Sequence, residues 1–404
     1  MKNFLTIVCI AAWLFHCPAF AAPQTAFQPE QAFQAAALLP DATNSTLPAA
    51  PNIAATAYWL HDLQSHYTIA SKNAHSKIEP ASLTKLMTAY LSFQALNNGN
   101  IHAEQQFTVS ENAWRTEGAR MFLEKGKKVK VSELLMGLVV QSGNDAAITL
   151  AEGISGSETA FVALMNQEAQ KLGMLNTHFE NSTGISSPKH LTTVSDLGIL
   201  STALIRDFPE YYPLYSEKSF TYNGITQSNR NLLLHRDSEV DGLASGHTPS
   251  AGYNLIASSK RGGRRILSIV VGTASTEARA TESSKLLNHA LQYFDTPKMY
   301  TANQSIAQVK IYKGAEKTVD AGFLQDTYFT VPRQGSHIKT LFESQQPVLA
   351  PIHKGQELGT LKLMANNQIL SEHKVFALHD VAESGILRRI WDSIVLWFKL
   401  LFAD

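Results

Sequence analysis

The apolar residues of this 404-residue chain change their pattern after Pro297, and that change limits what the body of the chain can fold into. Upstream the pattern is helical. From Pro80 onward Leu83, Leu86, Met87, Tyr90 and Leu91 recur at i, i+3, i+4, i+7 and i+8, one face of a helix entered through a proline. Further helical patterns cover 131–140, 159–172, 194–207 and 277–294. The apolar runs Tyr253–Ser258 and Ile266–Val271 flank Arg261-Gly262-Gly263-Arg264 and predict a β-hairpin. Ala54–Leu60 reads as a further strand. Downstream of Pro297 the stretches are short and alternating: 307–312, 327–331, 338–342, 357–364 and 368–370. Gly314, Pro332-Arg333-Gln334-Gly335, Lys354-Gly355 and Asn366-Asn367 punctuate them, as in a small all-β sandwich. The fold class is therefore α+β. A unit of helices and antiparallel sheet over 53–295 precedes a β-sandwich over 296–382, with no internal repeat.

Both ends differ from this body. Lys2, the apolar run Phe4–Phe15 and the small-x-small site Ala19-Phe20-Ala21 predict a signal peptide over 1–21, too short and wrongly flanked to span a membrane. Both cysteines, Cys9 and Cys17, fall inside it, so the processed chain is expected to carry no disulfide, thiol nucleophile or cysteine metal site. Residues 22–52 are rich in Ala, Gln and Pro and read as a lead-in without regular structure. At the other end, 383–404 predicts an amphipathic helix. Arg388, Asp392 and Lys399, flanked by Arg389 and Ser393, oppose Ile386, Ile390, Ile394, Trp397 and Leu401. Such a helix lies on a membrane surface rather than crossing it.

The chemistry is carried by two short motifs. Ser82-Leu83-Thr84-Lys85 sets an amine within one helical turn of a hydroxyl. A serine is a weak nucleophile without a neighbouring base, and a desolvated lysine that loses its proton can be that base. At a helix start, Ser82 also lies in positive backbone potential. Ser142-Gly143-Asn144 follows the apolar run 134–140 and is expected in a turn, with Ser142 able to relay a proton and Asn144 able to hold a substrate amide. Other chemistries find little support. Lys+Arg and Asp+Glu each number 34, so the formal charge is zero and no global field favours nucleic acid. The 14 histidines show no metal-binding spacing, and there is no glycine-rich phosphate loop, so neither a metal nor a cofactor is expected. The run Lys125–Lys130 reads as a solvated loop and strand start.

Order and spacing of the two motifs, with their surroundings, carry a resemblance. Pro80-Ala81-Ser82-Leu83-Thr84-Lys85-Leu86-Met87-Thr88, Gln141-Ser142-Gly143-Asn144-Asp145-Ala146, Asn229-Arg230-Asn231, Val240-Asp241-Gly242-Leu243 and Gly246-His247-Thr248 are similar to the low-molecular-mass penicillin-binding proteins of the D-alanyl-D-alanine carboxypeptidase family. The likeness runs from about residue 50 to the tail. It implies a β-lactamase/transpeptidase-like catalytic domain and a serine hydrolase that removes the terminal D-alanine from peptidoglycan stem peptides. Ser82 would be the acylated nucleophile, Lys85 its general base, and Ser142 and Asn144 the second motif; Ser245, Gly246, His247 and Arg279 would bind substrate, with main-chain N–H groups of Ser82 and His247 as the oxyanion hole. β-Lactam antibiotics would be covalent ligands. A periplasmic location is implied, with the C-terminal helix docked on the outer face of the inner membrane. One departure stands out: where the family has Lys-Thr-Gly, this chain has Ala244-Ser245-Gly246. Losing one partner of a desolvated polar network costs about 1–3 kcal/mol, or roughly 10- to 1000-fold in acylation. Arg264 and Arg265, beside the hairpin turn, are the candidates to replace that charge. The departure supports a second reading, a weak or inactive homologue with a structural, peptidoglycan-binding role. A β-lactamase is a third, disfavoured by the sandwich and the tail.

Overall fold

The computed structural model describes residues 48–334 and 337–401. The expected signal peptide and most of the lead-in lie outside the described residues.

The core of the first unit is an antiparallel sheet of five strands, in the order Tyr67–Lys72, Ala57–Asp62, Arg264–Thr273, Gly252–Arg261, Val240–Thr248. Residues alternate across it and both faces are covered. Ala57, Ile269 and Val271 point into a large core shared with the helices Lys85–Asn97, Val131–Val140, Asn144–Ser155 and Val194–Asp207. Tyr58, Leu60 and Val270 point the other way, onto Leu286, Leu287 and Ala290 of the helix Thr276–Tyr293. The expected hairpin is present, its strands longer than the apolar runs because Arg261 pairs with Arg264 at the turn. The helix Lys85–Asn97 shows more than the expected stripe: Leu86, Met87, Ala89, Tyr90, Leu91 and Phe93 are all buried, so it is a central helix clothed by others on all sides. Val240–Thr248 pairs only with Gly252–Arg261 and is thus the free edge of the sheet.

The second unit is all β. Six strands run in the order 338–344, 357–365, 368–377, 318–322, 305–312, 348–349, around a core of Val309, Ile311, Val319, Phe329, Leu358, Leu361 and Leu363. The Thr318–Gly322 strand has little alternation to mark it in the sequence, and the expected 327–331 strand is two short pieces, Thr327–Tyr328 and Val331–Pro332, in separate ladders. The chain ends in the helix Ile386–Leu401.

A buried polar knot ties the units together. Asp62, fully buried, receives Arg264 Nε and Thr296 Oγ1, each at 2.6 Å. Arg264 Nη1 also donates to the carbonyls of Ala290 and Phe294, while Thr330 Oγ1, in the sandwich, is 2.6 Å from Ser65 Oγ and 3.1 Å from Thr296 Oγ1. Breaking a buried ion pair by removing one partner strands the other charge and costs about 3–5 kcal/mol, whereas an exposed pair contributes under about 1 kcal/mol. Asp62→Ala is therefore expected to lose several kcal/mol in urea unfolding, and Lys374→Gln, which breaks the exposed pair with Glu357, almost nothing. Equal effects would show that the knot adds no more than a surface contact.

Candidate active site

Pro80 starts a single 3-10 turn, Ala81–Thr84, which runs directly into the central helix at Lys85. Ala81 takes a left-handed φ of 49°, a strained value for a residue with a side chain, and it turns Ser82 out of the helix axis. Behind this turn packs the segment 182–184. A Cβ on Gly184 (φ 85°) would fall 1.8 Å from the Ala81 carbonyl oxygen, so only glycine lets the two chains approach this closely. Thr88 Oγ1 donates to the Ser182 carbonyl at 2.7 Å, fixing the approach.

The purpose of that approach is visible at Lys85. Its Nζ donates to the Thr183 carbonyl at 2.7 Å and lies 3.0 Å from Ser82 Oγ. Lys85 is only 5% exposed. Burial, aided by the Arg230 guanidinium and opposed by the Asp145 carboxylate, pulls the amine down to about 7. An amine of that kind is substantially uncharged at neutral pH. In this structure Nζ donates both to the Thr183 carbonyl and to Ser82 Oγ; loss of one proton would turn a lone pair toward the hydroxyl.

The second motif joins two helices. Val131–Val140 ends at Gln141, Ser142 adopts a left-handed φ of 57°, and Gly143 caps the helix that Asn144 opens. Asn144 Nδ2 donates to the Glu117 carbonyl at 2.6 Å, while its Oδ1 is buried with no partner among the described residues. Asn144 is not among the residues that line the cleft, whereas Ser142 of the same motif is. Asp145 accepts from the Met121 and Leu123 N–H groups, each at 3.0 Å, and so holds the 121–123 segment beside the motif.

The free edge strand supplies the third wall. A Cβ on Gly246 would lie 3.1 Å from Ser82 N and 3.2 Å from both Leu83 N and the Pro80 carbonyl, so this strand abuts the main chain of the nucleophile turn. Ser82, Lys85, Ser142, Ala244 and Ser245 line one cleft, together with Tyr215, Asn229 and Arg230. His247 is outside that lining, exposed, with its ring tilted 31° against that of Tyr253 and the ring centres 4.0 Å apart. Arg279 lies behind the strand. Its guanidinium donates to the carbonyls of Gly246 (3.2 Å), Asn254 (3.4 Å) and Arg230 (3.1 Å).

The expectation that Arg264 or Arg265 lends charge to the cleft does not hold. Arg264 is engaged by Asp62 in the interdomain knot, and Arg265 forms a bidentate pair with Asp241 at 2.7 and 2.8 Å. Arg230 is the cation that sequence reasoning overlooked. The Asn-Arg-Asn triplet was its one signal, and nothing local in it says that Asn231, by donating to the Gly242 carbonyl at 2.9 Å, folds the segment back onto the cleft. The cavity-lining Tyr215 and the Thr183 carbonyl went unnoticed for the same reason. No group of metal-ligating side chains exists among the described residues.

The chain matches two family models, D-alanyl-D-alanine carboxypeptidase over residues 44–275 and Penicillin-binding protein 5, C-terminal domain, over 294–383. It is 38% identical over 360 residues to the D-alanyl-D-alanine carboxypeptidase DacA of Haemophilus influenzae, covering 87% of this chain and 92% of that one. Penicillin-binding protein 5 from Haemophilus influenzae has a similar structure (TM-score 0.78, 36% identity, 83% of this chain and 99% of that one). So does penicillin-binding protein D2 from Listeria monocytogenes in its ampicillin-bound form (TM-score 0.55, 30% identity, 59% and 99%). With a serine and a buried amine paired across one turn, and with likeness extending over both units, this chain belongs to the D-alanyl-D-alanine carboxypeptidase family.

Proposed function

We propose that this chain is a working serine-type D-Ala-D-Ala carboxypeptidase in which Ser82 is acylated and Lys85 takes its proton. The observation that carries the reading is the 3.0 Å pairing of the Ser82 hydroxyl with an amine that burial holds near neutrality. The stem peptide lies along the free edge strand beside Ser245 and Gly246. Ser82 Oγ attacks the carbonyl carbon of the penultimate D-alanine as its proton passes to Lys85 Nζ. The C–N bond breaks, the proton passes by way of Ser142 to the leaving amine, and free D-alanine departs. Water then attacks the ester with Lys85 again as base, releasing the shortened peptide and restoring Ser82. The N–H groups of Ser82 and His247 receive the oxyanion, and neither depends on the side chain at 244. Arg279 works from behind, bracing the carbonyls of Gly246 and Arg230, close to where the substrate's terminal carboxylate lies. A β-lactam acylates Ser82 by the same attack, its ring amide standing where the peptide bond would.

The non-catalytic reading is not favoured. Its support was Ala244, and the nucleophile–base pair is complete without that side chain. Intact mass after exposure to ampicillin is expected to rise by one drug molecule in the native chain and not at all in Ser82→Ala. The acylation rate should climb as pH rises through about 7, because the base works only once Lys85 has lost its proton. A rate already at its plateau by pH 5, or a full rate in Lys85→Ala, would remove Lys85 from the role.

The finer placement is periplasmic, held peripherally on the outer face of the inner membrane. A signal peptide over 1–21 and the tail helix support it. In that helix Arg388 donates to the Ala315 and Glu316 carbonyls, Asp392 accepts from Lys313 N, and Arg389 pairs with Glu383. Its polar side is thus held on its own sandwich, and the outward side is apolar: Leu387 is 86% exposed, Trp391 65% and Trp397 58%. An apolar helix face with aromatic residues suits the membrane interface, and among the described residues no helix is long and apolar enough to cross a membrane. Deleting 385–404 should abolish sedimentation with anionic lipid vesicles and leave hydrolysis of a soluble D-Ala-D-Ala peptide within about twofold. Undiminished sedimentation would mean that another part of the chain is the anchor.

A further inference from the structure

The cleft must keep one amine uncharged while the substrate brings in a carboxylate, and its walls contain few cations. Among the described residues that line it, the positively charged types are Lys85 and Arg230. Lys85 serves as base only while neutral. Arg264, Arg265 and Arg279 are engaged elsewhere, the first two with carboxylates and the third with three carbonyls.

Arg230 is held differently. Its Nε donates to the carbonyl of Gln141, the residue before Ser142, at 3.3 Å, and its own carbonyl is gripped by Arg279 Nη2 at 3.1 Å. Among the described residues its Nη groups meet no carboxylate. The guanidinium is thus fixed between the second motif and the edge strand, across from the place where position 244 carries only a methyl group. Arg230 and Lys85 line the same cleft, and the Arg230 charge acts to lower the Lys85 amine, attenuated by solvent because Arg230 is exposed. Arginine stays protonated at any working pH, which a cleft needs from a standing charge.

We propose that Arg230 is the fixed cation of this cleft and does through space what a lysine at position 244 would do, keeping charge off the Lys85 amine so that it can accept the Ser82 proton. This inference rests on the reading of Lys85 as base. Arg230 is then a positioning residue that touches neither Ser82 nor the scissile bond. The other charged or titratable groups facing Lys85 are accounted for. Asp145 acts in the opposite sense and is pinned by the Met121 and Leu123 N–H groups, while Tyr215 stays a neutral phenol because burial pushes its ionisation far up.

The test is the pH profile of ampicillin acylation, followed by intact mass, for the native chain, Arg230→Gln, Arg230→Met and Arg230→Lys, each alone and with Ala244→Lys. Arg230 is exposed, so these changes should leave the melting temperature near that of the native chain. Removing the charge should move the acidic limb up by roughly half to one pH unit, a three- to tenfold slower reaction below the limb with an unchanged plateau above it. Arg230→Lys should keep the native limb. A lysine at 244 should supply the missing charge and move the limb of Arg230→Gln back down towards the native position. A limb that stays in place in both neutral variants, a loss equal at every pH, or an Ala244→Lys change that leaves the limb of Arg230→Gln where it was would overturn the proposal. If the native chain itself gains no adduct, it is the catalytic reading that falls, and this inference with it.

Discussion

A primary amine buried in protein compensates for the lost water either by finding carboxylate partners or by giving up its proton. At Lys85 burial favours the second course. Asp145, the carboxylate that acts on it, is already bound to three main-chain N–H groups, those of Met121, Leu123 and Ala146, and the acceptor nearest the amine is the neutral carbonyl of Thr183. Much of the first unit serves this arrangement. Gly184 lets the 182–184 segment reach the Ser82 turn, the largely buried helix Lys85–Asn97 keeps water from the amine, and the edge strand closes the third side through Gly246. Removing any of these walls would hydrate Lys85, return its proton and silence Ser82.

How much of this was legible in the sequence depended on whether a feature is local. Ser82 and Lys85 were readable because their relation spans one turn, and the hairpin was readable because its turn residues sit between two apolar runs. The missing side chain at 244 is likewise plain from the triplet Ala244-Ser245-Gly246 itself. What could not be read are the places where distant segments meet. The Asp62, Arg264, Thr296 and Thr330 knot draws on separate stretches of chain, and nothing in any one of them reveals burial. Arg264 and Arg265 looked available beside a turn because a turn residue is ordinarily solvated; each instead faces a carboxylate supplied by another strand. Arg230 looked ordinary for the converse reason. The tail was legible as amphipathic, but which side it turns to its own domain is decided by the carbonyls of Ala315 and Glu316, 73 and 72 residues away from Arg388.

Of the ten non-glycine residues that adopt left-handed conformations among the described residues, two, Ala81 and Ser142, adjoin or carry a residue of the cleft. Such positions persist only where the surroundings over-determine them. Here the 182–184 segment holds one, and the junction of two helices holds the other. The fold thus draws on stability gathered in its large cores to keep two hydroxyls presented to one small space.

The contact between Gly246 and the main chain of Ser82 and Leu83 has a consequence for how such a protein changes over generations. That wall of the cleft is backbone, which point mutation cannot trim, and adding even one carbon at 246 would push against amide nitrogens and a carbonyl rather than against a side chain that can swing aside. Heritable variation is thereby steered to the side-chain walls, among them position 244, which carries only a methyl group.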